Sequence, residues 1–285
     1  MTDATTALRY TAFADAPGGG NPAGIVLDAS LLGDAEMQAI AAEIGFAETA
    51  FITEQSVRGD DRRVRVRYFS PLAEVPFCGH ATVATAVALA HRDGPGDFVF
   101  ETSVGPVTIT TATADGEVTA SFTSVEPSIE PFGEGVLEAL LGLLSTSLDR
   151  LDPAYPPRVS FAGNRHPVLV FAARSEFDSF TFDPDAMSEL MHEQGWTGTV
   201  TTVFPAGAGE FDSRNIFPVG EITEDPATGS AAAAFGAYLR ALGLVDAPTE
   251  IEITQGSHIG RPSRLLVHIP ATGGIVVTGT ATPIA

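Results

Sequence analysis

The sequence predicts an α+β protein of two similar halves, in each of which strands surround a buried helix. The segment EDPATGSAAAA at Glu224–Ala234 resembles VPFCGHATVA at Val75–Ala84, because each places a Pro shortly before a Gly and an Ala-rich run. Gly79 and Gly229, the glycines of these segments, are separated by 150 positions. Two further pairs match in the same order, GNPAGIVL with GNRHPVLVF and VRVRYFSP with FDSRNIFP. Repeated segments at a nearly constant spacing indicate an internal duplication.

The halves are expected to meet in a Pro-, Glu- and Leu-rich stretch from Val125 to Pro157 that lacks regular alternation. This places an N-terminal lobe at residues 1–125 and a C-terminal lobe at residues 126–285. The last strand, at about 274–285, is expected to pack with the N-terminal lobe.

The elements of the first half follow from hydrophobic spacing. LRYTAFADAPGGGNPAGIVLDA predicts strand, turn and strand, and Asp34 is expected to cap the helix that follows. FAETAFI predicts a short strand, and RRVRVRYFS predicts a half-buried strand from its strict alternation. ATVATAVALAHR is apolar on nearly every face, which is typical of a buried helix. VGPVTITTATADGEVTASF predicts a hairpin turning near Asp115-Gly116. The helical face after Asp34 comprises Met37, Ile40, Ala41 and Ile44.

Composition restricts the partners and the compartment. The chain carries a formal net charge of -21 and contains no lysine. A strongly acidic surface repels phosphate backbones, which argues against nucleic-acid and anionic-membrane partners. No apolar run is long enough to span a bilayer, and no secretory signal pattern is visible. Together with the single cysteine, Cys78, this leads us to expect a cytoplasmic protein.

The duplicated helix starts suggest where chemistry occurs. A helix N-terminus presents unpaired N–H groups to an anion, and Gly79 and Gly229 let the backbone approach a ligand closely. Glu48 is flanked by apolar residues, an environment that can suit a carboxyl group to act as both acid and base. His80 follows Gly79, Asp225 precedes the second helix, and Ser230 follows Gly229.

Each of these residues also has a purely structural interpretation. Glu48 could point outward from its strand, Asp225 could be an ordinary helix-start carboxylate, and His80 could cap a turn. His166 could line the site from the second half, although a structural role in a turn is the simpler interpretation.

Cofactor and metal motifs are not evident. APGGGNPAG lacks the strand–GxGxxG–helix context of nucleotide sites, and no GxSxG motif of a serine hydrolase occurs. The histidines show no close metal-ligand spacing, so we expect no metal and no cofactor. They lie at positions 80, 91, 166, 192, 258 and 268.

Five segments resemble the PhzF-like family, which is named for an isomerase of phenazine biosynthesis. The resemblance covers nearly the whole chain, from about Arg9 onward, and GHAT, EDPATGSAA and the AET strand are specific in combination. The segments are GNPAGIVL, FAETAFI, PLAEVPFCGHATVATA, EDPATGSAAAA and QGSHIGRPS.

The resemblance implies the diaminopimelate epimerase fold, with two pseudo-symmetric lobes that each curl a mixed sheet around a central helix. It also implies a homodimer that needs no cofactor or metal and acts on a small anionic substrate. Glu48 resembles the family's proton-shuttling glutamate, while His80 and Asp225 resemble the histidine and aspartate near the substrate. The implied substrate-contacting residues are Gly79, Gly229, Ser230 and Asn21, the last from GNPAGIVL.

The leading hypothesis is therefore a cofactor-independent isomerase that moves a proton on a small carboxylated metabolite. The chain has Ala47 and Ala81 where the phenazine enzyme has Ser and Pro, which leaves the substrate open. A racemase with two catalytic thiols is excluded, because Cys78 is the only cysteine. A one-sided epimerase or racemase using Glu48 with His80 or Cys78 remains an alternative, as does a catalytically idle small-molecule-binding protein.

Overall fold

The computed structural model describes residues 7–114, 116–219 and 222–285. Two compact units can be distinguished by their internal contacts: the chain up to Thr123 together with Thr278–Ala285, and Ser124–Val277. Within the described ranges, every helix falls short of the length and apolar character that crossing a membrane requires.

The first unit is a mixed sheet with two helices. Strands β1 and β2 are antiparallel, β2 and β3 parallel, β3 and β4 antiparallel, and β4 runs antiparallel to β5 and parallel to β6. The sheet continues through antiparallel β6–β7 and β7–β8 pairs. The elements are β1 (Leu8–Ala12), β2 (Asn21–Val26), α1 (Asp34–Ile44), β3 (Glu48–Glu54), β4 (Arg63–Phe69), β5 (Glu74–Val75), α2 (Gly79–Asp93), β6 (Gly96–Thr102), β7 (Gly105–Ala114) and β8 (Glu117–Thr123).

The second unit pairs its strands in the same order. β10 and β11 are antiparallel, β11 and β12 parallel, β12 and β13 antiparallel, and β13 runs antiparallel to β14 and parallel to β15. β15 and β16 close the series as an antiparallel pair, and β9 lies antiparallel to β10. The elements are β9 (Ser128–Glu130), α3 (Val136–Leu143), β10 (Arg158–Phe161), β11 (Arg165–Val170), α4 (Arg174–Ser179), α5 (Pro184–Glu193), β12 (Val200–Gly207), β13 (Glu210–Val219), β14 (Ile222–Asp225), α6 (Gly229–Ala241), β15 (Thr249–Gln255) and β16 (Ser263–Ile269).

The last strand, β17 (Val276–Pro283), lies antiparallel to β1, with Thr11 opposite Thr282. The backbone N–H of Phe13, just after β1, also donates to the carbonyl of Thr280 at 2.8 Å. β17 therefore extends the strands of the first unit by pairing with β1.

Helices α2 and α6 are buried, as the sequence predicts. In α2 every residue from His80 to Ala90 is buried, and most of these residues are small. In α6 a Cβ placed on Gly236 would lie 3.0 Å from Val267 and 3.1 Å from Ile275. Small residues allow the strands to approach each helix on several sides, so these helices form the centres of the two units.

Helix α1 confirms the predicted apolar face but begins differently at its cap. Met37, Ile40, Ala41 and Ile44 are its buried residues. Gly33 is the N-cap, and Asp34 is already the first helical residue. The Glu36 carboxylate accepts a hydrogen bond from the Gly33 N–H at 2.9 Å, which satisfies one of the free donors at this helix end.

The stretch between the halves is more regular than its composition suggests. It contains β9 and α3, and both belong to the second unit. The predicted turn residue Asp115 lies outside the described residues, while β7 and β8 on either side of it pair antiparallel, with Ala114 opposite Glu117.

Candidate active site

Glu48 is the first residue of β3, an interior strand between β2 and β4. Its side chain is 18% exposed, whereas Ala50 and Phe51 on the same strand are fully buried. The local sequence places an ionisable group where an apolar strand emerges from the sheet. The carboxyl group is therefore partly shielded from water yet still reachable.

The start of α2 brings two further side chains to Glu48. Cys78 is the N-cap of this helix, Gly79 is its first residue and His80 its second. Cys78 Sγ lies 3.5 Å from Glu48 Oε2, and His80 Nε2 lies 3.4 Å from the same oxygen. Cys78 Sγ and His80 Nδ1 are 3.3 Å apart. A carboxylate, a thiol and an imidazole thus meet at one point.

His80 is held neutral by its surroundings. Burial lowers the pKa of His80 from 6.5 to about 4, and a hydrogen bond with the Pro22 backbone only partly opposes this effect. The Asn21 side chain, at the start of β2, lies with Nδ2 3.1 Å from His80 Nδ1. At neutral pH the ring therefore offers Glu48 a hydrogen-bonding group and not a positive charge.

This arrangement is suited to proton transfer by Glu48. The side chains of His80 and Cys78 are 6% and 7% exposed, so Glu48 is the most accessible of the three groups. A general acid or base must lie within hydrogen-bond reach of the proton that it moves. A ligand that enters from solvent can reach Glu48 more easily than it can reach His80 or Cys78.

Asp225 and the start of α6 form a corresponding group in the second unit. Asp225 ends β14, and its carboxylate accepts a hydrogen bond from the hydroxyl of Thr228, the N-cap of α6. The Gln255 side chain accepts from the Thr228 N–H at 3.1 Å and donates to the Asp225 carbonyl at 2.6 Å. Asp225 is therefore fixed to the beginning of the helix by two neighbouring side chains.

His166 has a more specific position than a turn residue. It is fully buried as the second residue of β11, and burial lowers the pKa of His166 to about 4. His166 Nδ1 lies 3.0 Å from the backbone nitrogen of Thr199 and 3.1 Å from its carbonyl oxygen. His166 Nε2 lies 3.1 Å from Ser230 Oγ. His166 thereby orients the hydroxyl of a sequence-predicted site residue.

Close packing fixes the His166 ring. A Cβ on Gly198 would lie 2.4 Å from the ring, so only glycine fits at this position.

The sequence-predicted residues thus lie in two groups, one in each unit. Asn21, Glu48, Gly79 and His80 lie at the start of α2, and Asp225, Gly229 and Ser230 lie at the start of α6. The sequence motifs do not predict the hydrogen bonds of Thr228 and Gln255 with Asp225. Gln255 begins the segment QGSHIGRPS, which signalled the family but carried no assigned role.

One group also has the composition of a metal site. Ligating atoms of Glu48, Cys78 and His80 all lie within 4.8 Å of one another. Histidine spacing along the chain does not reveal this group, because Glu48 lies on a strand 30 residues before Cys78.

Comparison with known proteins shows similarity to one family over nearly the whole chain. The family described as "Phenazine biosynthesis-like protein" matches residues 10–285. The "Uncharacterized isomerase YddE" of Escherichia coli K12 is 34% identical over 231 residues, covering 80% of this chain and 76% of the relative. The trans-2,3-dihydro-3-hydroxyanthranilate isomerase of Pseudomonas chlororaphis is 33% identical over 254 residues, covering 88% of this chain and 86% of the relative.

Solved structures extend the likeness to the fold. A phenazine biosynthesis protein of the PhzF family from Bacillus anthracis superimposes with a TM-score of 0.84 at 26% identity, covering 98% of this chain and 96% of that one. A hydroxyproline epimerase from Agrobacterium vitis, at 12% identity, shares the fold with a TM-score of 0.63 over 98% of this chain and 90% of that one.

Proposed function

We propose, because this chain belongs to the phenazine biosynthesis-like family of isomerases, that it moves a proton on a small carboxylated metabolite with Glu48 as the acid and base. The observation that carries the proposal is the meeting of Glu48, Cys78 and His80 at the start of α2. In this cluster Glu48 is the accessible carboxylate and His80 is a neutral neighbour.

The reaction is balanced without any further reagent. The Glu48 carboxylate takes a proton from one carbon of the substrate, and the resulting carboxylic acid returns a proton to another carbon of the same molecule. A double bond of the substrate changes position as the proton moves from one carbon to the other. No electrons are gained or lost overall. One carboxyl group that alternates between its base and acid forms can make both transfers.

The proposed substrate class follows from the binding groups. Backbone N–H groups at a helix N-terminus bind a carboxylate without a basic side chain. We assign this role to Gly79, Gly229 and Ser230, with Asn21 as a further contact, and we assign His80 and Asp225 to orienting the substrate. The name of the Pseudomonas chlororaphis relative specifies an anthranilate-type substrate, which is itself a carboxylate.

We also infer that the two units are copies of one ancestral unit related by pseudo-symmetry. The matching order of parallel and antiparallel pairs supports this, as does the position of α2 and α6 at equivalent points between strands. Duplication would explain why each unit offers a Gly-led helix start.

The decisive experiment is hydrogen exchange in a ligand found by thermal-shift screening of cyclic and amino carboxylates. In heavy water the wild-type protein should incorporate deuterium into such a ligand. Glu48→Gln should still be stabilised by the ligand but should lose exchange by about 10⁴-fold, at the upper end for acid–base catalysis. The amide retains the shape of the side chain but cannot accept and return a proton.

Glu54→Gln provides a matched control on the same strand. Glu54 ends β3 and forms an exposed ion pair with Arg65, so its substitution should leave exchange unchanged. Exchange that persists in Glu48→Gln would contradict the assignment of the proton shuttle.

A second candidate is a one-sided epimerase that uses Glu48 with His80 or Cys78. His80 Nε2 lies 3.4 Å and Cys78 Sγ 3.5 Å from Glu48 Oε2, so the distances support either partner, and substitution of Cys78 distinguishes the thiol. Cys78→Ala should abolish exchange in an epimerase that uses the thiol and spare it in the proposed isomerase. Ligand stabilisation without any exchange in the wild-type protein would instead identify a binding protein.

A further inference from the structure

The cluster at the start of α2 presents three different metal-ligating atoms to one point. Cys78 Sγ and Glu48 Oε2 are 3.5 Å apart, Cys78 Sγ and His80 Nε2 are 3.8 Å apart, and His80 Nε2 and Glu48 Oε2 are 3.4 Å apart. We propose that Glu48, Cys78 and His80 form a three-ligand binding site for Zn²⁺.

The separations fit the geometry of zinc. Zn²⁺ binds sulfur at about 2.3 Å and histidine nitrogen or carboxylate oxygen at about 2.0–2.2 Å, with tetrahedral angles. These values require ligand atoms about 3.4–3.6 Å apart along the edges of the tetrahedron. The observed separations of 3.4, 3.5 and 3.8 Å lie within a few tenths of an ångström of those edges. Binding the ion requires the Cys78 side chain to turn, because Sγ lies nearer to His80 Nδ1, at 3.3 Å, than to Nε2, at 3.8 Å.

The donor set selects the kind of metal. Thiolate and imidazole ligands suit zinc and similar ions, whereas Mg²⁺ and Ca²⁺ require oxygen ligands. Three protein ligands leave the fourth tetrahedral position for water or a small ligand.

Charge is balanced when the ion binds. The thiolate of Cys78 and the carboxylate of Glu48 together neutralise the charge of Zn²⁺, so the bound ion adds no unpaired charge to the site. The thiol proton of Cys78 is released to solvent when the thiolate binds the ion. The chain's formal net charge of -21 also attracts cations to its surface.

Asn21 supplies an outer partner for the histidine. A metal-bound imidazole usually donates its other ring N–H to an oxygen. The Asn21 amide lies 3.1 Å from His80 Nδ1, and rotation of that amide by half a turn presents its carbonyl oxygen there. The ring would then be oriented with Nε2 towards the ion.

A bound ion has a consequence for the chemistry. It occupies the Glu48 oxygen that would take the proton, so zinc should inhibit proton transfer. This inhibition rests on the proposed function, whereas zinc binding does not.

Cobalt provides a direct test, because Cys78 is the only cysteine in the chain. The full-length protein is freed of metal with a chelator and titrated with Co²⁺. We expect a thiolate-to-cobalt charge-transfer absorption that saturates at one equivalent per chain and disappears when Zn²⁺ displaces the cobalt. The absence of this absorption at saturating Co²⁺ would overturn the proposal.

Variants show whether all three ligands act together. Cys78→Ser, which keeps the size of the side chain, should abolish the absorption. Glu48→Gln and His80→Gln should each weaken Co²⁺ binding at least about tenfold, since even outer partners contribute 10–100-fold. His192→Gln, which removes an exposed histidine of α5, should bind as the wild-type protein does. Unchanged affinity in both Glu48→Gln and His80→Gln would overturn the site by showing that the thiol binds alone.

The inhibition is measured separately in the deuterium-exchange assay. One equivalent of Zn²⁺ should stop exchange, and a chelator should restore it. Exchange that continues with zinc bound would overturn the inhibition and the role of Glu48 while leaving the metal site intact. Failure of the metal-free protein to exchange any ligand would contradict the proposed function alone.

Discussion

His80 and His166 are held in the same protonation state by burial, although their partners differ. His80 contacts Asn21, Cys78 and Glu48, whereas His166 lies between Thr199 and Ser230. The pKa of each ring is lowered by burial to about 4. Both rings therefore act through hydrogen bonds and not through charge near neutral pH.

Their lowered pKa values predict acid sensitivity. Each histidine has a pKa of 6.5 when exposed and about 4 in the folded chain, so the unfolded chain binds more protons between these values. The contribution of each neutral histidine to the free energy of unfolding is fully present above about pH 6.5. It is lost as the pH falls towards 4, by roughly 3 kcal/mol per histidine. Urea unfolding between pH 7 and pH 4.5 should show this loss. In His166→Gln the free energy of unfolding should depend less steeply on pH, by about 1.4 kcal/mol per pH unit, which is the contribution of one proton.

An exposed histidine provides the comparison. His192→Gln should keep the wild-type slope, because His192 is exposed in the last turn of α5. A His166→Gln protein with the wild-type slope would show that His166 is not held neutral by the fold.

Residue identities in the candidate site could be predicted more readily than their contacts. The motifs single out His80 and Ser230 because each stands at an expected helix start, and Glu48 because it is an ionisable residue within an apolar strand. They do not show that Cys78 reaches Glu48, or that His166 orients Ser230, because these contacts join segments 30 and 64 residues apart. Tertiary packing decides such contacts, and spacing along the chain does not record it.

At the scale of elements, β17 and the turn after β1 depend on one glycine. Phe13 is fully buried with a positive φ of 63°, and a Cβ on Gly279 would lie 2.1 Å from its ring. The Phe13 backbone N–H donates a hydrogen bond to the Thr280 carbonyl, which limits how far Phe13 and its ring can shift away. Gly279 is therefore needed for β17 to lie against this turn.

We predict that Gly279→Ala lowers the free energy of unfolding by about 1–3 kcal/mol, the usual cost of overpacking. Gly142→Ala is the matched control, because Gly142 lies near the end of α3 and nothing lies within 4 Å of a Cβ there. That control should be neutral or should stabilise by up to about 1 kcal/mol. Denaturant unfolding distinguishes the two, and equal stabilities would show that the Phe13 turn adapts.

The elements that could be predicted are those with a strong local pattern. The small apolar runs predict α2 and α6, and the Arg–Val alternation predicts β4, whose Val64, Val66 and Tyr68 are buried. Helix α3 is not revealed by a search for alternation, because apolar residues in a helix do not recur at every second position. Leu140 and Leu141 of α3 are buried in the apolar core of the second unit. That core also involves α4 and α5, which were not anticipated.

At the scale of the whole molecule, charge opposes compactness. The chain has 36 acidic and 15 basic residues, so negative charges outnumber positive ones by 21. Like charges repel over about 10 Å at 0.1 M salt and over about 30 Å at 0.01 M. Several exposed arginines form ion pairs, such as Arg65 with Glu54, but each contributes at most about 1 kcal/mol.

Added salt should therefore stabilise this protein. Raising sodium chloride from about 0.01 M to about 0.5 M screens the repulsion. We expect Tm to rise by about 2–4 °C for each kcal/mol gained. Thermal unfolding followed by circular dichroism measures this rise. A fall in Tm with salt would mean that the exposed ion pairs outweigh the repulsion.

The position of β17 has a consequence for the order of events during synthesis. The second unit is a single continuous stretch of chain, whereas the first unit includes residues that follow it. A ribosome therefore completes every residue of the second unit before it delivers the strand that pairs with β1. Domains usually fold in the order in which they are made. Here the unit that is begun first can finish folding only last, and until then the edge of β1 that pairs with β17 lacks this partner strand.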